Sequence, residues 1–179
     1  MAFKDYAANL EPTFRPLLGI SERLLAATAL ARDSITDSTV ADDLPALLAD
    51  FPQATALRES AHGRTVTGAA GSIARRLADR IDSVESPRLA VTDQRLLICD
   101  VENVSQRLTG WQRWFAPAEM VARQVHTVPR EAVLGAVLAS AGRQRRGHLV
   151  VGFADGSGCV LVCAPPSLAE QTVQALSGG

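Results

Sequence analysis

The stretch HLVVGFADGSGCVLV, residues 148–162, decides the fold class that the sequence predicts. Two runs rich in valine and leucine lie on either side of Asp155-Gly156, and short apolar runs bounded by turn residues are typical of β-strands. Asp-Gly tolerates positive φ at both central positions of a type I′ turn, which connects the strands of a tight hairpin. The stretch therefore predicts two antiparallel strands joined by a type I′ turn.

Similar strand patterns precede this hairpin. RLAVT and RLLICDV, separated by Asp93-Gln94, predict a second hairpin. VHTV, which stops at Pro129, and EAVLGAVLAS add two more strand candidates. Several antiparallel strands followed by one terminal helix indicate a small barrel or sandwich with a helical plug.

That terminal helix is predicted from PPSLAEQTVQAL, residues 165–176. Ser167 and Glu170 have the spacing of a capping box, which satisfies backbone N–H groups at a helix N-terminus. Leu168, Val173 and Leu176 fall on one helical face.

A second amphipathic helix is predicted from TGAAGSIARRLADRIDS, residues 67–83. Ile73, Leu77 and Ile81 follow each other at a spacing of four, and the charged side chains lie away from that stripe. A stripe one residue wide can seal against a sheet but cannot form a core alone. The GAAGS sequence before it could turn N–H groups toward a phosphate, but without a P-loop lysine it reads better as a flexible helix entry.

The first third of the chain gives weaker signals. Pro12 and Pro16 discourage a long helix in residues 1–18 and suggest a leading arm. ERLLAATALAR, residues 22–32, is helix-prone by intrinsic propensity, and a strand there requires tertiary pairing to override that preference. Residues 32–60 contain six acidic and two basic side chains, and DLPALLADF within them could form a two-turn helix.

Composition restricts the class of protein. The 179 residues include 18 basic and 19 acidic side chains, and 47% are hydrophobic, as in one soluble globular domain. A net charge of −1 argues against sequence-independent binding of nucleic acid, which requires many phosphate-neutralising side chains. No apolar run approaches the roughly 18 residues that span a bilayer, and the N-terminus lacks a secretion pattern, so a cytoplasmic location is predicted.

LAVTDQRLLIC (89–99), VPREAVLGA (128–136) and HLVVGFADGSGCVLV (148–162) resemble the bacterial pleckstrin-homology-like domains, particularly those of actinobacterial proteins. The resemblance implies a mainly β fold, α+β by content: a seven-stranded, bent antiparallel barrel closed at one end by the C-terminal helix. ERLLAATAL, preceded by Gly19, resembles the first strand of the family. Residues 1–18 are then an N-terminal arm, and residues 19–179 form one domain with a partly helical insertion at about 33–85.

The resemblance bears less on activity than on fold. Eukaryotic relatives bind phosphoinositides through a basic loop between the first two strands, whereas the residues after the first candidate strand are acidic here. This departure argues against headgroup binding of that type. What the resemblance does imply is a scaffold for protein contacts or for adhesion to a membrane surface.

The connection at residues 107–124 contains the first candidate contact site. Trp111, Trp114 and Phe115 concentrate scarce aromatic surface there, and Arg113 lies between the tryptophans. If exposed, these side chains suit a lipid interface or a protein hot spot, and the alternative is that the rings pack over the barrel. Pro117 to Met120 resemble a helix start within this connection.

A second candidate is the basic cluster of Arg143, Arg145 and Arg146, which could pair with phosphate or carboxylates, or form a solvated turn. Its charge is opposite to that of the acidic stretch 33–59. Head-to-tail or two-fold self-association is therefore a further possibility, with Ile73, Leu77 and Ile81 as its apolar component.

Catalysis and metal binding lack support in the sequence. The three cysteines, Cys99, Cys159 and Cys163, cannot form a closed disulfide framework, and the histidines show no ligand spacing to them. The sequence around Ser157 lacks the G-x-S-x-G elbow. No enzyme activity, cofactor or metal site is therefore predicted.

The predicted function is a non-catalytic cytoplasmic binding or scaffolding module that presents its insertion and its tryptophan-bearing connection to another protein. The alternative is peripheral attachment to the anionic inner face of the membrane through that connection, assisted by the basic cluster. A small-molecule pocket between barrel and insertion is a third possibility.

Overall fold

The computed structural model describes residues 6–30, 66–103, 120–138 and 147–178. In these residues the helices are α1 (Tyr6–Phe14), α2 (Ile73–Asp82) and α3 (Ala169–Ser177). The strands are β1 (Leu24–Leu30), β2 (Val66–Thr67), β3 (Pro87–Thr92), β4 (Arg95–Asn103), β5 (Met120–Pro129), β6 (Val133–Leu138), β7 (His148–Phe153) and β8 (Gly158–Ala164).

The strands form an antiparallel sheet in the order β5-β4-β3-β1-β8-β7-β6, and β2 pairs with β8 beside β1. The fold is mainly β, as predicted, and it ends in a helix. Both predicted hairpins, β3–β4 and β7–β8, are confirmed. β1 is a strand although its sequence favours a helix, because it pairs with β3 on one side and β8 on the other.

The closed barrel implied by the resemblance is not formed, since no pairing joins β5 to β6 in the described residues. Pro129 ends β5 and lacks an N–H group, and a 3-10 turn, Arg130–Ala132, then leads into β6. Helix α3 lies against β6, where the Ser177 hydroxyl donates to the Ala136 carbonyl over 3.0 Å. The Arg130 guanidinium donates to the Leu176 carbonyl over 2.5 Å and holds the end of α3 in place.

The β7–β8 turn differs from the predicted type I′ turn. Gly156 has a φ of 78°, but Asp155 does not have positive φ, as type I′ would require. The Gly156 N–H donates to the Phe153 carbonyl over 3.0 Å, and the Phe153 N–H donates to the Ser157 carbonyl over 2.9 Å. The connection is therefore a three-residue loop in which only the glycine adopts the left-handed conformation.

The N-terminal arm contains a short helix of nine residues, α1, which the sequence did not predict. Pro12 lies inside α1 and removes one helical hydrogen bond. Phe14 is fully buried in a cluster with Ala27, Leu97 and Cys99 on the outer face of the sheet. Tertiary packing of this face stabilises α1 despite the proline.

Two local predictions near strand and helix ends are wrong. The predicted capping box at Ser167 is wrong, because α3 begins after a 3-10 turn and Leu168, its N-terminal flanking residue, makes no side-chain cap. Met120 begins β5 and does not belong to a helix start. The proposed helix in DLPALLADF lies outside the described residues.

The main core lies on the inner face of the sheet and includes side chains from α2 and α3. Leu77 and Ile81 are almost fully buried there, together with Leu176 of α3, and Ile73 packs at the edge of the same cluster. The prediction that the stripe of α2 seals a sheet is confirmed. Helix α2 and β2 show that the second half of the predicted insertion belongs to the domain core.

The β7–β8 turn also caps α2. Asp155 accepts a hydrogen bond from the Ile73 N–H over 2.7 Å, and the Ser157 hydroxyl oxygen accepts one from the Ala74 N–H over 3.1 Å. Burial raises the pKa of Asp155, but hydrogen bonds from Ser157 and Ile73 outweigh burial and hold that pKa below its usual range. The first N–H groups of α2 therefore bond to the protein itself and not to a phosphate.

Gly68 allows the chain before α2 to approach this turn. Its φ is 117°, and a Cβ atom there would lie 2.6 Å from the Ser157 Cβ and 2.7 Å from the Ser72 Oγ. A side chain at this position is therefore excluded both by backbone conformation and by space.

We expect Asp155→Ala to lower the free energy of unfolding by about 1 kcal/mol, the usual effect of removing a helix cap. The reason is that the Ile73 N–H loses its acceptor and the Ser157 side chain loses its orienting carboxylate. Urea denaturation of the two proteins measures the change. An unchanged denaturation midpoint would contradict the capping role.

Candidate functional site

Strands β4 and β5 extend beyond their neighbour β3. The pairing of β3 with β4 begins at Pro87 and Asp100, whereas the pairing of β4 with β5 continues to Asn103 and Met120. Residues 101–103 and 120–122 therefore form a two-stranded projection, called here the terminal ribbon. It leads into residues 104–119, the connection that contains both tryptophans.

The side chains of the terminal ribbon differ in exposure. Val101 and Ala122 are buried in the cluster beneath α1, which anchors the ribbon to the domain. Met120 and Val121 are 37% and 46% exposed and are among the few large apolar side chains of the described residues that reach solvent. The ribbon thus holds apolar surface at the edge of the sheet.

A groove of about 440 Å³ lies at the base of the ribbon and is called here the rim groove. It runs between the ribbon and the segment that precedes β3, and it contains carboxylates from both sides. Its lining includes Glu85, Ser86, Asp100, Glu102, Asn103 and Met120.

Hydrogen bonds fix one wall of the rim groove. Asp100 is only 9% exposed, and its Oδ1 accepts a hydrogen bond from the Ser86 N–H over 3.1 Å. The Val101 N–H donates to the Ser86 carbonyl over 3.3 Å. The segment before β3 is therefore tied to β4, and the groove has a defined shape.

The contact residues predicted from the sequence can be placed relative to this site only by their position in the sequence. Their side chains lie outside the described residues, and they are Trp111, Arg113, Trp114, Phe115, Arg143, Arg145 and Arg146. The tryptophan-bearing connection begins after Asn103 and ends before Met120, and both of these residues line the rim groove. The predicted site and the groove are thus adjacent in sequence.

Sequence reasoning missed the rim groove. Asp100 and Glu102 alternate along the end of a strand, which indicates two charges on one face of the sheet. That pattern could have been noticed. Glu85 could not have been joined to them, because its position depends on how the chain between α2 and β3 packs.

The self-association face predicted from Ile73, Leu77 and Ile81 is not available for a partner while α2 packs on the sheet. Leu77 is 0% and Ile81 1% exposed, and both belong to the core of the same chain. Self-association through this stripe stays a prediction, and it would require α2 to leave the core, because Leu77 and Ile81 are covered when the helix packs on the sheet.

The three cysteines are free, buried thiols. Burial raises the pKa of Cys99 and of Cys159 to about 12 and that of Cys163 to about 11. Since the thiolate is the reactive form, none of them has the character of a nucleophile.

We expect none of the three thiols to react with Ellman's reagent in the native protein at pH 8, and all three to react after denaturation. Burial excludes the reagent and keeps the thiols protonated. Absorbance of the released thiolate measures the number of reacted groups. Rapid reaction of even one thiol in the native protein would contradict this interpretation.

No group of histidine, cysteine, aspartate and glutamate side chains in the four described ranges could hold a metal ion. None of the described helices is long and apolar enough to cross a membrane. A scan against models of known protein families and a search of curated proteins find no match to this chain.

Proposed function

We propose that this chain is a pleckstrin-homology-like domain and that it acts as a non-catalytic protein-binding module. The strand order supports the fold proposal: the long strands follow one another from β3 to β5 and from β6 to β8, and β1 joins the two halves. Helix α3 packs into the core between them. This arrangement agrees with a bent antiparallel sheet of seven main strands and a terminal helix, with no pairing between β5 and β6 in the described residues.

The terminal ribbon is the observation that carries the functional proposal. Two strands alone are marginally stable in water, yet this pair extends beyond the sheet and exposes Met120 and Val121. Neighbouring exposed apolar side chains can mark a protein-interaction site. The ribbon leads to Trp111 and Trp114, residues of the type that dominates binding energy at interfaces.

A non-catalytic role agrees with the chemistry of the described residues. Their thiols are buried with raised pKa values, and their carboxylates include two used structurally, Glu22 in an ion pair and Asp155 in a helix cap. The rim groove offers negative charge and shape to a ligand, which suits binding.

Affinity capture with the full chain as bait tests the proposal. We expect a protein partner that is retained by the wild-type chain and reduced about tenfold or more by Met120→Ser/Val121→Ser, since anchors at an interface dominate affinity. Leu134→Ser/Leu138→Ser is the matched control, because these two side chains of β6 are similarly exposed, at 48% and 40%. Equal loss with both variants, or no loss with the ribbon variant, would contradict the proposal.

Vesicles containing anionic phosphatidylglycerol distinguish the membrane alternative. A protein-binding role predicts no cosedimentation that depends on the tryptophans. Salt-sensitive pelleting that is lost in Trp111→Ala/Trp114→Ala would replace the proposal with peripheral membrane attachment.

A further inference from the structure

The chemistry of the rim groove points to a particular class of partner. We propose that the groove receives an arginine side chain of the partner protein, with an apolar residue of the same segment resting on the terminal ribbon. This inference rests on the proposed function, because it assigns the partner of the same site.

The first argument is charge. Glu85 and Asp100 approach the groove from the two sides, one from the segment before β3 and the other from β4. Glu85 is exposed and forms no ion pair with another described residue. A groove with this lining attracts a cation and repels an anion.

The second argument is that Asp100 is buried and forms no ion pair with a described residue. This carboxylate is more than nine-tenths buried, and the hydrogen bonds of the described residues provide it with one donor, the Ser86 N–H. Arg123 is its cross-strand neighbour but does not form an ion pair with it, nor does any other described basic side chain. A buried carboxylate without a cation is costly, so a guanidinium entering the groove gains an interaction that the described residues do not make.

The third argument is the fit between arginine and the groove. A guanidinium presents several N–H donors in one plane and can contact carboxylates on two walls together. Its aliphatic stem can lie along the Met120 side chain at the groove edge. A metal ion fits less well, since the described acidic side chains do not converge in a metal-binding group.

The probe is a five-residue peptide, glycine-leucine-arginine-leucine-glycine with blocked ends, titrated into the full isotope-labelled chain and followed by NMR. Its counterpart contains citrulline, which has nearly the shape of arginine without the charge. We expect the arginine peptide to shift the amide signals of Glu85, Ser86 and Asp100. We expect the citrulline peptide to bind about tenfold more weakly, because a charged hydrogen bond is lost.

Variants locate the interaction. Glu85→Gln is expected to weaken the arginine peptide about threefold to fivefold, as for a partly exposed ion pair, and Asp100→Asn to weaken it more. Glu170→Gln, at an exposed position of α3, makes the same charge change away from the groove and should leave the affinity unchanged. If Asp100→Asn does not fold, Glu85→Gln and the citrulline peptide still decide the question.

Equal affinity for the arginine and citrulline peptides, or equal weakening by Glu85→Gln and Glu170→Gln, would overturn the inference. If this happens while the ribbon variant still loses its protein partner, the arginine inference fails and the proposed function stands. If the ribbon variant keeps its partner, the proposed function fails whatever the peptides do.

Discussion

Glu22→Gln is expected to lower the free energy of unfolding by about 3 kcal/mol at pH 7, because it removes the charge of a buried carboxylate that pairs with the partly exposed guanidinium of Arg95. Glu22 is 2% exposed, and its two carboxylate oxygens accept hydrogen bonds from the Arg95 guanidinium over 2.8 and 2.9 Å. The Thr92 hydroxyl and the Gly19 N–H donate to the same carboxylate. Glutamine keeps the shape but leaves the guanidinium without its counter-charge.

The position of this pair explains the size of the effect. Glu22 lies between α1 and β1, and Arg95 begins β4, so the pair links the segment that precedes β1 to the sheet. Arg95 also donates to the Leu17 carbonyl over 2.9 Å and to the Gln124 side chain of β5 over 3.3 Å. Loss of the charge therefore loosens several elements together.

The effect should depend on pH. Hydrogen bonding to Arg95 lowers the pKa of Glu22 to about 2, against an ordinary value of 4.5. A carboxyl with a depressed folded-state pKa stabilises the protein fully above its unfolded-state pKa, and this contribution falls as the pH drops through the folded-state value. The difference in unfolding free energy between wild type and Glu22→Gln should therefore be largest above about pH 5 and diminish between pH 4.5 and 2.

Urea denaturation over a pH series measures this difference. Asp93→Asn is the control, because the Arg23–Asp93 pair also joins the start of β1 to the β3–β4 turn, but the Arg23 side chain is 79% exposed. An exposed pair contributes little, so the control should show a much smaller loss. A Glu22→Gln effect as small as that of the control, or one that does not change with pH, would refute the role of the buried pair.

The sequence predicted those parts of the fold whose signals are local. The Asp155-Gly156 turn between two valine-rich runs marked the β7–β8 hairpin, although the turn type was wrong because only Gly156 takes positive φ. The spacing of Leu77 and Ile81 marked α2 and its buried face. Hairpins and amphipathic helices are formed by residues close in the chain, so the local sequence pattern is enough to predict them.

Features that depend on distant pairing could not be predicted. Glu22 and Arg95 are 73 residues apart, and nothing near Glu22 indicates that its carboxylate is buried against a guanidinium. β1 looked like a helix because propensity is local, whereas β3 and β8 decide its conformation. The rim groove could not be predicted for the same reason, since Glu85 and Asp100 line one groove only after β3 pairs with β4.

Leu77→Ala is expected to lower the free energy of unfolding by about 2–5 kcal/mol, the range for truncating a buried leucine, and to leave the oligomeric state unchanged. Leu77 is fully buried in the main core, so its removal leaves a cavity between α2 and the sheet. Ile73→Ala should cost less, because Ile73 only packs at the edge of that core. Asp79→Ala on the exposed side of α2 is the control and should change stability little.

Denaturation and light scattering together distinguish a core helix from an interface helix. If the stripe of α2 holds two chains together, Leu77→Ala must lower the molar mass in solution, and the stability of the wild-type protein must rise with its concentration. If the stripe belongs to the core, stability falls by the same amount at every concentration and the molar mass does not change. The complete burial of Leu77 within one chain predicts the second result, and a drop in molar mass would show that α2 leaves the core to bind another copy.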